Sequence, residues 1–255
     1  MRSVLFTIGP FSVYGYGFML AVGVLAGYFC TTVRARKIGV DVEQAFGLVM
    51  WCLVFGFVCA KLLFFLTEWE YFLQDPVSCI IHFSDGFVIY GGIIGGIVGA
   101  ALYCRRQKLS FLKMLDLALP SVALGQGFGR LGCFLAGCCY GRETEGPLAV
   151  VFHDSEFAPS GVPLVPTQIF SSILDFLHFF LLLSIARKKK RDGVVGAAYL
   201  LFYSAGRFIL EFFRGDLERG SVGFFSTSQF IAIFTFLAGG LLLVFLRRGE
   251  SREML

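Results

Sequence analysis

The sequence predicts an all-α integral membrane protein of seven transmembrane helices, with the N-terminus outside and the C-terminus cytoplasmic. Three observations predict it. Hydrophobic residues make up 56% of the chain and charged residues 16%, where a soluble domain carries roughly 45–50% and about 25%. So much apolar surface cannot be hidden in one soluble core. Seven apolar stretches recur, each close to the roughly 20 residues that cross a hydrocarbon layer about 30 Å thick. Lys and Arg then split between alternate connecting segments, 15 in one set and 4 (Arg2, Arg142, Arg214, Arg219) in the other. The positive-inside rule assigns the richer set to the cytoplasm. An N-out, C-in chain needs an odd number of crossings, which seven satisfies. The same composition excludes a disordered chain, a disulfide-stapled mini-domain and a soluble nucleic-acid binder.

In chain order the expected spans are 11–32, 44–66, 86–104, 114–140, 167–186, 195–213 and 227–246. Met1–Pro10 has one basic residue and no A-x-A site, so no cleavable signal is expected. The first span opens on Tyr16-Gly17-Phe18-Met19, and an interfacial Tyr is ordinarily an aromatic-belt anchor. The second carries Lys61, which can snorkel or reach a carboxylate such as Glu68. In the third, Tyr90-Gly91-Gly92 and Gly95-Gly96 set a phenol beside glycines that suit close helix packing. The fourth is long, and Pro120 near its start predicts a break or kink. The sequence shows no repeat and no domain linker. Residues 1–255 therefore read as a single polytopic membrane domain, with a small outer-face loop region at about 141–166.

Few ionisable residues fall inside the spans: Lys61, Arg130, Arg207, Asp116, Asp175 and Glu211. At membrane depth such groups cost several kcal/mol unless paired or hydrated, so each is a functional candidate. Tyr203, Arg207 and Glu211 recur every four residues, and each step drifts only about 40° around the helix. They form one polar stripe, read as an anion clamp in which Glu211 fixes the Arg207 guanidinium. A purely structural Arg207–Glu211 pair is the alternative. Around Arg130, glycines at 125, 127, 129, 132, 137 and 141 leave backbone bare for a ligand head group. Asp175 and His178 share a face and could relay a proton, but their helix otherwise looks lipid-facing, so they read as structural.

Most of the 8 cysteines lie in apolar runs, unlike a secreted disulfide framework. Cys133, Cys138 and Cys139 lack C-x-x-C spacing, and the only nearby His is His153 in the outer loop. They read as small polarizable packing residues in preference to a metal or redox group. His82 and His153 read as solvated loop residues.

Taken together, these motifs resemble the bacterial prolipoprotein diacylglyceryl transferase family. Tyr16-Gly17-Phe18-Met19 is similar to the family's Y-G-L-M, and Tyr90-Gly91-Gly92 to its H-G-G. Gly129-Arg130-Leu131-Gly132-Cys133-Phe134, preceded by Asp116, Pro120 and Gly127, resembles the signature G-R-L-G-N-F. Pro166-Thr167-Gln168 resembles P-S-Q, and Ser228-Gln229 the later G-Q or S-Q pair. Tyr203-x3-Arg207-x3-Glu211-Phe-Phe-Arg214 resembles Y-x3-R-x3-E-F-F-R. The family's His is Tyr90 here, its signature Asn is Cys133 and its following Glu is Cys138.

The resemblance implies transfer of a diacylglyceryl group from phosphatidylglycerol to the lipobox cysteine thiol of a preprolipoprotein. A thioether forms and glycerol phosphate leaves, at the outer face of the bacterial inner membrane. It implies catalytic roles for Arg130, Arg207, Glu211 and Tyr90. Tyr16, Tyr203, Gly91, Gly92, Gly129, Gly132, Cys133 and Gly141 would contact substrate, with no cofactor and no metal. Tyr90 would donate a hydrogen bond while the thiol loses its proton beside Arg130. A covalent carrier role for Cys133, Cys138 or Cys139 is a second possibility. The alternatives are a paralogue with another acceptor, a lipid-binding protein or transporter without this chemistry, and a membrane thiol–disulfide protein.

Overall fold

The computed structural model describes residues 4–9, 11–74, 86–153, 155, 157–215 and 221–253. Arg2, His82 and Arg219, used in the sequence reading, lie outside the described residues. The described helices are α1 (Gly15–Lys37), α2 (Val42–Thr67), the short α3 (Trp69–Gln74), α4 (Ile89–Gln107), α5 (Phe111–Ala136), α6 (Thr167–Lys188), α7 (Val194–Glu211) and α8 (Thr227–Glu253). Five of them (α1, α2, α6, α7, α8) are long and apolar enough to cross a membrane. Only 17–28% of their apolar windows is buried inside the protein, so most of that surface requires lipid. Glycines in α4 and α5, together with Lys113, Asp116 and Arg130 in α5, dilute the apolar character of those two helices.

Three departures from the expected spans have local causes. Residues 11–14 are not helical: strand β1 (Val4–Ile8) pairs antiparallel with β2 (Phe11–Tyr14), so α1 starts at Gly15. The alternating apolar run on both sides of Gly9, which turns at φ 59°, favours that hairpin. α5 runs through Pro120 without a break, as membrane helices can when neighbours re-satisfy the freed carbonyl. It ends at Ala136, four residues before the expected end, because Gly137 takes a left-handed φ of 74°. Gly137 N donates to Phe134 O and Cys138 N to Cys133 O, the paired bonds of a Schellman stop.

The chain divides into two compact units. Residues 32–115 centre on α2 and α4. Asp41 caps α2, accepting from Glu43 N, and Gly91, Gly95 and Gly99 let α4 lie against the α2 backbone. Lys61 is 4% exposed. Its ammonium donates to Gly86 O and sits 4.9–5.1 Å from the ring centres of Phe64, Phe65 and Phe87, a stronger retention than snorkelling.

Residues 1–31 and 116–255 form the other unit. Gly23 and Gly27 of α1 approach Gly125 and Ser121 of α5, and Thr31 donates to Ser121 Oγ at 2.7 Å. A buried apolar cluster joins Ala123, Phe179, Leu182, Val195 and Ala198. The segment after α5 has a small core of its own around fully buried Phe152, with Ala158 and Leu164.

Two helix ends decide where the site falls. α7 begins after Gly193, which has no side chain for a cap. Asp116 of α5 supplies one: its carboxylate accepts from Gly193 N at 2.8 Å, Gly196 N at 2.9 Å and Lys189 Nζ at 2.6 Å. Asp116 thus satisfies orphan helix N–H groups and places a negative charge at the positive end of α7. The start of α8 carries a capping box. Gln229 N donates to Ser226 Oγ and Ser226 N to Gln229 Oε1, each at 3.1 Å.

Candidate active site

The polar stripe of α7 forms as its spacing predicts. Arg207 Nη2 lies 2.9 Å from Glu211 Oε2 and donates to Ser228 Oγ at 2.8 Å. Glu211 is held in turn by Ser226 Oγ, donating to Oε1 at 2.9 Å, and by Arg214 Nε at 4.0 Å. The Ser228-Gln229 pair thereby acquires a physical meaning. Ser228 grips the guanidinium, and Gln229 completes the helix cap whose serine holds the carboxylate. Side chains of Arg207, Glu211 and Arg214 are 14%, 9% and 7% exposed, so the charges interact in a poorly hydrated setting where each contact is strong. Tyr203 stacks on Tyr199 at 5.6 Å, and Tyr199 donates to Gln126 Oε1 at 3.0 Å.

Arg130, Tyr203 and Arg207 line one cavity of about 210 Å³. Asp175 and His178 line it too, from α6, with Ser171 and Gly206 and a set of leucines. Both were read as structural from the sequence. The structure buries them to 8% and 7% exposure. His178 stacks on Tyr199 at 5.1 Å, and its buried Nε2 has no hydrogen-bond partner among the described residues. The i,i+3 spacing of Asp175 and His178 was the available signal. An apolar helix in a membrane does not say which of its faces meets lipid.

The remaining candidates occupy different places. Gly132 packs on α1, where an added Cβ would meet Tyr16 and Met19 at 3.2–3.3 Å, while Gly129 faces open space. Tyr16 is 45% exposed. Gly141 is pressed between two backbones, its N–H donating to Val165 O and its neighbour Arg142 N donating to Phe213 O. Its smallness serves that close approach. Tyr90 opens α4 at 38% exposure. Gly91 lies against the Cys59 carbonyl and Ala60 of α2, and Gly92 is less confined, with Ala60 Cβ at 3.8 Å. Tyr90, Gly91 and Gly92 belong to the 32–115 unit.

The cysteines depart most from expectation. The sulfurs of Cys133, Cys138 and Cys139 lie within 4.8 Å of one another. Linear spacing concealed this. A Schellman stop brings the residue after its left-handed glycine back over the last helical turn, so Cys133 and Cys138 meet five residues apart.

Two guanidiniums and a phenol on one apolar-walled cavity, in a chain of long apolar helices, define a membrane protein with a cationic pocket. The chain belongs to the prolipoprotein diacylglyceryl transferase family, whose model matches residues 3–245. It is 46% identical to the phosphatidylglycerol–prolipoprotein diacylglyceryl transferase of Clostridium tetani, over 94% of this chain and 95% of the relative. It is 44% identical to the transferase 2 of that name from Clostridium perfringens, over 99% and 98%. A Staphylococcus xylosus relative of the same name is 31% identical over 98% and 91%.

Proposed function

We propose that this chain transfers the diacylglyceryl group of phosphatidylglycerol to the lipobox cysteine of a prolipoprotein. The observation that carries the reading is the convergence of Arg130, Tyr203 and Arg207 on one cavity, in a chain whose relatives are named for that donor and acceptor. In the reaction an S–C bond forms at a glyceryl carbon as its C–O bond breaks, and glycerol phosphate departs with the electron pair. Charge grows on the phosphate oxygens, so the chief demand is for fixed positive donors aimed at them. Arg207, already oriented by Glu211 and Ser228, needs little reorganisation to take them. Arg130 supplies the second guanidinium and Tyr203 a hydroxyl donor. Tyr16, Gly129 and Cys133 form the approach for the head group and peptide, and Gly132 and Gly141 support it through close packing. In the 32–115 unit, Tyr90 is a hydrogen-bond donor for substrate, and Gly91 and Gly92 let its helix pack closely.

The architecture we infer is one polytopic domain of seven spans in the bacterial cytoplasmic membrane. The N-terminus lies outside, the C-terminus inside, and the site and the 141–166 region face outward. Five apolar helices and the Lys/Arg asymmetry support it. The decisive test supplies labelled phosphatidylglycerol and a lipobox peptide to membranes from cells depleted of their own transferase. Thioether-linked lipid should appear with the wild-type chain and fall at least 100-fold in Arg130→Ala and Arg207→Ala. Normally folded wild-type protein giving no product would leave binding without chemistry.

A further inference from the structure

The three-cysteine cluster stands outside the phosphate-holding machinery, and three observations bear on it. First, its sulfurs are within 4.8 Å of one another. Three thiolates around Zn²⁺, at about 2.3 Å each, stand roughly 3.8 Å apart, so side-chain adjustment alone closes the shell. Second, the backbone is set in advance. Thr167 Oγ1 donates to Cys139 O and Gln168 Nε2 to Cys138 O, each at 2.8 Å, pinning the turn from α6. Gln168 Oε1 is buried with no hydrogen-bond partner among the described residues. Third, Cys139 adopts φ 61°, a left-handed conformation that costs a Cβ-bearing residue about 1 kcal/mol or more and that Gly would take freely. Strain tolerated to keep a thiol in place points to a use for that thiol.

We propose that Cys133, Cys138 and Cys139 form a binding site for a thiophilic d¹⁰ cation, Zn²⁺ by charge and size, held by three thiolates with the fourth position open. Thiolate sets select such ions over hard cations, and three protein ligands with a vacant fourth position mark reactive zinc sites. Binding exchanges three S–H bonds for three S–metal bonds and releases three protons, with no change of oxidation state. The bound site carries a net charge of −1. Arg130, one helical turn before Cys133, balances it. Resting on the transferase reading, the open position takes the acceptor's cysteine thiol, whose proton leaves to solvent. That supplies the attacking thiolate.

The test uses the full chain in detergent micelles, reduced, stripped with chelator and titrated with Co²⁺. One equivalent should bind, with thiolate-to-cobalt charge transfer and the intense visible bands of tetrahedral Co²⁺, and Zn²⁺ should displace it. Cys133→Ser and Cys138→Ser should weaken binding at least 100-fold, whereas Cys52→Ser should not. Wild-type protein, with or without Zn²⁺, is also treated with a maleimide and mapped by mass spectrometry. Protection confined to these three cysteines supports the site without relying on any variant. The proposal is overturned if folded wild-type protein shows no such bands and no protection. Titration unchanged in the triple Ser variant, or a disulfide among the three forming where no metal binds, also overturns it. Arg207→Ala separates the two readings, because lost transfer with intact Co²⁺ binding bears on the transferase alone.

Discussion

Arg207 is oriented by a carboxylate four residues along its own helix and by a hydroxyl from the next, so its guanidinium meets substrate already aimed. Close charge pairs in so poorly hydrated a setting have coupling energies from about 1.5 kcal/mol upward. Glu211→Gln should therefore lower kcat/KM about 10- to 100-fold with the protein still folded. Ser228→Ala should cost less, up to about tenfold, and Arg207→Lys should not restore the wild-type rate because an ammonium cannot reproduce the planar fork. Steady-state transfer kinetics check all three, and equal rates in Glu211→Gln and wild type would remove its positioning role. The stripe was legible because a four-residue spacing is the helix period. The contributions of Asp175 and His178 were not, since hydropathy marks a helix as apolar without telling lipid from cavity. The cysteine cluster was legible only through Gly137, whose left-handed turn predicts contact between the residues on either side of the stop.

Helix ends and helix contacts carry the next set of consequences. Asp116 is buried and accepts three hydrogen bonds at the start of α7. Asp116→Ala leaves Lys189 and two backbone N–H groups without it and should destabilise by about 3–5 kcal/mol, read as a lower Tm in detergent. Burial alone would lower the Lys189 pKa, but hydrogen bonds to Asp116 and Asp192 outweigh it and hold the ammonium above its ordinary value. A raised lysine contributes fully below its unfolded pKa and loses that contribution as pH rises through the folded one. The Tm difference between wild type and Lys189→Met should thus stay flat from about pH 6 to 9 and shrink only above about 10.5, the ordinary lysine value.

In α4, adjacent glycines should behave oppositely. A Cβ on Gly95 would collide with the Phe55 carbonyl and meet Cys59 Cβ at 2.6 Å, whereas Gly96 has its nearest neighbour at 3.9 Å. Gly95→Ala should cost about 1–3 kcal/mol and Gly96→Ala next to nothing, by thermal unfolding. Helix positions were legible from length and hydropathy. The β1–β2 hairpin and α3 were not, because short elements beside long apolar runs are masked by them.

For the whole molecule, the Lys/Arg asymmetry makes a prediction independent of the site. A cysteine introduced at Glu143 in a background lacking the natural thiols should react with an impermeant maleimide applied outside intact cells. One at Lys190 should react only after the membrane is opened. The reverse pattern would invert the topology and remove the outer-face placement. The charge counts behind this prediction need no knowledge of packing.

The carboxylate of Asp116 has one more effect, rotational in kind. Its two oxygens engage amides three residues apart and so fix the phase of α7 about its own axis. Arg207 lies fourteen residues further on, about 21 Å along the helix, and a slip of one residue would swing it by about 100°. An acid far from the reacting atoms thus acts as an index pin, setting the bearing at which the guanidinium faces its anion.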